Sequence, residues 1–175
     1  MTEVGPVIRA VRVSFLLVLA LTLQLGVASQ LQVFGVQGDL MLLVAIAAGM
    51  AAGAESGARI GFVTGITYDL MLQTPFGLSA LTYGMVAFLA GSLQDSALRA
   101  AWWIPVTTAA AASAIGVILY GVFGSVVGED LVGTSLLQVA GVVAVLNAVL
   151  AAPVLKVVRW ATGASDSSRV RAVYR

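Results

Sequence analysis

Six apolar runs, joined by connections too short to fold by themselves, constrain this chain more than any motif it carries. They mark spans at about 13–31, 39–55, 57–73, 75–93, 101–124 and 134–155. Crossing roughly 30 Å of hydrocarbon takes about 20 helical residues, so the first, fifth and sixth are long enough and the fourth nearly so. The second and third, apolar over 40–54 and 58–73, offer only some 23 to 24 Å of helix. They need polar ends, a locally thinned bilayer or a partly re-entrant hairpin. The mean hydropathy of +1.03 and the charged fraction of 10% fit the same medium, since soluble domains carry about a quarter charged residues. The expected fold is an all-α, polytopic six-helix transmembrane bundle over residues 1–160, followed by a basic tail at 161–175.

Charge placement orients the bundle. Arg9 and Arg12 precede the first run, Arg59 lies between the second and third, and Arg99 between the fourth and fifth. Lys156, Arg159, Arg169, Arg171 and Arg175 follow the sixth. All nine bases therefore fall on one side, while the opposite connections hold Asp39, Glu129 and Asp130. Excess Lys and Arg marks the cytoplasmic face, so both termini are expected in the cytoplasm. Arg9, Arg12 and SFLLVLALTL share features with a secretory signal, but the apolar run exceeds a signal core and reads as a span.

The absence of Cys and His removes thiolate nucleophiles, disulfides and the usual zinc ligands. No cofactor, nucleic-acid patch or phosphate-binding loop is expected. One acid is out of place: from Ile60 to Gln94, Asp69 is the only charged side chain. Gly49, Gly53, Gly57, Gly61 and Gly65 precede it at intervals of four, which on a helix makes a smooth stripe where another helix can approach closely. Asp69 continues that stripe, so its carboxylate is expected in a helix interface, bonded to Thr64, Thr67, Gln73 or a neighbouring helix. Thr74 and Pro75 are expected to start the fourth helix as cap and first residue.

Asp39 and Asp69 invite comparison with the paired acids of intramembrane aspartyl proteases. The residue at 36 is Val where that motif has Gly, the order of the acids is reversed, and helical rise sets Asp39 roughly 7 Å further out. Asp39 is expected instead to cap the second helix, and no enzymatic activity is expected. Gln24, Tyr83, Ser113, Gln138 and Asn147 are read as isolated interhelical hydrogen-bond formers that do not converge on one site.

The run Gly61-Phe62, Gly65, Asp69-Leu70, Pro75-Phe76-Gly77-Leu78, Ala80-Leu81 and Tyr83, continuing to Gly91, resembles the rod shape-determining protein MreD family. So does Asp39-Leu40, although the family commonly has Pro where this chain has Gly38. The resemblance implies a non-enzymatic subunit of the bacterial cell-elongation machinery in the cytoplasmic membrane. It implies binding to MreC and other elongation-complex proteins, and a link from MreB to peptidoglycan synthases. The family is also similar in layout to the substrate-binding S-components of energy-coupling-factor vitamin transporters, the alternative function. Asp39, the glycine stripe, Asp69, Pro75, Gly77 and Tyr83 are the candidate partner or interface residues.

Overall fold

The computed structural model describes residues 5–28, 32–71, 76–94, 103–128 and 135–164. Six helices carry the fold: α1 (Pro6–Leu23), α2 (Leu40–Ala52), α3 (Ala54–Asp69), α4 (Leu78–Gln94), α5 (Ile104–Val126) and α6 (Leu136–Thr162). A π-helical turn, Gln24–Ala28, extends α1, and a two-stranded hairpin of β1 (Gln32–Val33) and β2 (Val36–Gln37) leads into α2. Its turn residues Phe34 and Gly35 both have positive φ, +53° and +77°. A type I′ two-residue hairpin turn requires that conformation at both positions.

Val7–Gly26, α5 and α6 are each long and apolar enough to cross a membrane. The short α2 takes the centre. Every residue from Met41 to Met50 is buried, and a helix apolar all round can pack against neighbours on every side. Its 13 residues span only about 20 Å, and it begins well inside the bundle: the Asp39 carbonyl accepts from Asn147 Nδ2 at 3.1 Å. Asn147 lies 11 residues into α6, roughly 16 Å from that helix's start. The second run is short because it need not reach the surface on the hairpin side.

Three boundaries depart from the sequence reading. The first helix starts at Pro6 and not near 13, because Gly5-Pro6 supplies a proline in its first turn. The fourth begins at Leu78, after Gly77 at φ +97°, and not at Pro75. Thr74 and Pro75 lie outside the described residues. The sixth continues past 155 to Thr162, where Gly163 in the left-handed conformation ends it. Most of the basic tail, from 165 on, lies outside the described residues.

Candidate functional site

The chain turns from α2 into α3 at one residue, Gly53, whose φ of +84° an L side chain rarely adopts. This corrects the expectation that Gly53 continues the smooth stripe: it is the hinge, and a Cβ there would meet nothing. The other four glycines lie in a backbone seam. A Cβ on Gly49 would run into the Ala87 carbonyl of α4, and one on Gly57 into the Gly49 backbone. At Gly61 it would lie 2.7 Å from the Tyr83 carbonyl oxygen, and at Gly65 it would collide with the Ser79–Ala80 backbone. Gly91, which the spacing argument omitted because it lies on α4, closes the seam against Ala54.

Asp69 is the last residue of α3 and only 3% exposed. Its Oδ2 accepts from the Gly77 N–H at 2.9 Å and the Ala80 N–H at 3.3 Å, and its Oδ1 from the Ser79 N–H at 3.2 Å. These are amides that the start of α4 leaves without helical partners. An acid at the end of its own helix is poorly placed for that dipole; here it faces the positive end of the next one. Thr64 and Thr67, expected as its partners, donate instead to carbonyls of their own helix, Ile60 and Val63. Gln73 lies outside the described residues. The carboxylate is thus a cap supplied from across a turn, which the glycine seam brings within reach.

Asp39 does the corresponding work for α2. Its Oδ1 accepts from the Leu42 N–H at 2.8 Å, and its Oδ2 accepts from the Tyr83 hydroxyl at 2.6 Å. Gln24 accepts from the Leu40 N–H at 2.7 Å and donates to the Gly38 carbonyl at 3.0 Å. Asn147 Nδ2 also donates to Ser113 Oγ at 2.9 Å. The Tyr68 and Tyr83 rings stack 6.1 Å apart. Gln24, Asp39, Tyr83, Ser113 and Asn147 therefore do converge, contrary to the sequence reading, around the sunken start of α2. Gln138 does not join them; it is exposed. The five residues come from five different elements, up to 108 positions apart for a bonded pair, so spacing along one helix carried no signal for them. Equal depth in the membrane was the one available clue.

What this arrangement can do is hold helix ends. Each carboxylate is divided among fixed donors, and the two use different ones, whereas a shared-proton dyad is held by a bond between its acids. Among the described residues no group of three or more acids that could hold a metal ion occurs.

Searches of curated proteins and of solved structures returned no match. A family model described as rod shape-determining protein MreD matches residues 6–160, which covers all six helices but for the last two residues of α6. The chain belongs to the MreD family of rod shape-determining membrane proteins.

Proposed function

We propose that this protein is a non-catalytic subunit of the bacterial elongation machinery. In this reading it sits as a multi-pass protein in the cytoplasmic membrane with both termini inside, binds MreC, and helps link MreB to the peptidoglycan synthases. The observation that carries the reading is the family match over the whole bundle. The site supports it: the acids and glycines that gave the sequence its character are spent on fixing helices to one another. A rigid block of α2, α3 and α4 suits a protein that works by presenting surfaces. Those surfaces are lipid-facing and apolar, with Phe62, Leu81 and Phe88 each near half exposed.

Photo-crosslinkers at Phe62, Leu81 and Val122 in native membranes test this. Capture of a single-span protein with an extracytoplasmic coiled coil is the expected outcome. Capture of a membrane subunit coupled to ATPases would replace the reading by the transporter alternative. Orientation has its own check, since the chain has no native cysteine. Single cysteines at Gly35 and Gly128 should react with an impermeant thiol reagent on intact cells, and one at Ser56 should not.

A further inference from the structure

Between α1 and α6, over the flank of α2, lies a crevice of about 420 Å³. Leu16, Ala20 and Leu23 line it from α1, and Leu150, Val154 and Val157 from α6. Gly38 and Asn147 close its end nearer the hairpin. It opens sideways: Leu23, Leu150 and Val157 are 41%, 43% and 43% exposed. On α6 the lining runs from Leu146 to Val157, roughly 16 Å of helix. Its walls are almost wholly apolar and it is open along its length, which suits an acyl chain entering from the side.

Its other end is basic. On α1 the lining residues Leu16, Ala20 and Leu23 continue backwards, at helical intervals of four and three, to Arg12 and Arg9. On α6, Val157 continues to Trp160, and the Arg12 guanidinium lies over that indole at 4.9 Å. Lys156 stands on the same stretch and is exposed. The ion pair recorded among the described residues is Arg59 with Glu55, on α3. No described acid neutralises Arg9, Arg12 or Lys156. Beyond the apolar slot thus stand Arg12, held over Trp160, Arg9 one turn further along α1, and Lys156 on the exposed face of α6.

We infer that the α1–α6 crevice is a binding site for an anionic glycerophospholipid of the leaflet on the basic side, with one acyl chain in the slot and the phosphate held at Arg9, Arg12 and Lys156. The Arg12–Trp160 stack fixes the one base that both helices share, and a planar guanidinium so held still has N–H donors to offer a phosphate. Basic groups near a membrane surface each favour anionic lipid by about 1 kcal/mol, or about fivefold. The lipid would fill a part of the α1 interface that side chains leave open.

The test is lipid retention by the full chain purified in detergent, reconstituted with phosphatidylglycerol or phosphatidylcholine and analysed by native mass spectrometry. One tightly held phosphatidylglycerol is expected, preferred over phosphatidylcholine by about a hundredfold. The pair Arg9→Gln and Lys156→Gln, which spares the Arg12–Trp160 stack, should cut that preference by about twenty-five-fold, and Arg12→Lys should largely keep it. Leu150→Trp, which fills the slot from a half-exposed position, should abolish retention of either lipid with the melting temperature kept. Arg169→Gln, Arg171→Gln and Arg175→Gln together should change nothing. Equal retention of the two lipids, or a preference lost as readily by neutralising the tail as by changing Arg9 and Lys156, would overturn the inference. So would undiminished binding in Leu150→Trp.

Discussion

The two sides of this bundle are built by different means. On the α2, α3 and α4 side, glycines bring backbones into direct contact and each carboxylate closes the start of a helix. On the α1 and α6 side, branched and long side chains meet loosely, a crevice remains, and Arg12 over Trp160 is a side-chain contact near one end. Lipid explains why both can exist in one protein. Apolar side chains gain little by leaving hydrocarbon for a helix interface, so helices in membranes are held by close van der Waals packing and by hydrogen bonds. Where glycine supplies the first and an acid the second, the contact is tight; where neither is present, the helices stay separable. Rigidity and adaptability are thereby divided between two faces.

The largest expected effect breaks the tight side. Gly65→Leu would drive a side chain into the Ser79–Ala80 backbone, and Gly61→Leu would drive one into the Tyr83 carbonyl. Backbone cannot yield as a flexible side chain can, so the loss should exceed about 4 kcal/mol, beyond ordinary overpacking. Loss of folded protein in detergent is expected for both. Leu70→Ile, at a residue 64% exposed, should match the wild type in the same melting assay. Equal melting of all three would mean that α3 and α4 do not meet through this seam.

Next in size is Asp69. Asp69→Leu removes acceptors from three N–H groups at the buried start of α4 and should cost about 2 to 4 kcal/mol. Asp69→Asn keeps the shape and one acceptor, but both carboxylate oxygens of Asp69 accept from backbone. An amide must turn its NH₂ towards one N–H, so Asn should fall between wild type and Leu, losing about 1 to 2 kcal/mol. Complementation of rod shape by both variants sharpens the contrast: partial rescue by Asn fits a cap, whereas equal failure of both fits a group that must ionise.

How much of this was legible in the sequence depends on whether the signal was local. The six runs, the single charged residue between Ile60 and Gln94 and the four-residue glycine interval are properties of neighbours, and they led to the helices and to the Asp69 interface region. Gly53 misled because an interval cannot tell a helical glycine from a hinge. The partners of Asp69 were missed because the nearest hydroxyls, Thr64 and Thr67, satisfy themselves on their own helix, as threonine in a helix readily does. The gathering of Gln24, Asp39, Tyr83, Ser113 and Asn147 depended on α2 starting deep in the bundle. Run length showed that α2 was short without saying at which end.

That polar gathering predicts a middle effect. Tyr83→Phe keeps the ring stack with Tyr68 but leaves Asp39 Oδ2 without its hydroxyl donor. Interhelical hydrogen bonds in membranes average about 0.6 kcal/mol and reach about 2. A loss near the top of that range is expected, because the orphaned acceptor is a carboxylate. It should be read by denaturant titration in mixed micelles, with Tyr68→Phe as the comparison. A larger loss at Tyr68 would place the main load on that tyrosine instead.

The smallest effect is expected on the loose side, and it decides whether the two faces differ at all. Leu150 borders the crevice and is 43% exposed, so Leu150→Ala removes contacts that lipid can partly replace. A buried leucine in a water-soluble core costs about 2 to 5 kcal/mol on truncation, partly because transfer out of water drives its burial. In hydrocarbon that drive is missing, and the surrounding void already exists. The loss should stay below about 1 kcal/mol. The equivalent truncation at Leu42, 1% exposed in the first turn of α2, should cost severalfold more, because no lipid can enter there. If the two truncations prove equal, the crevice side is packed as firmly as the seam and the division between rigid and adaptable faces does not hold.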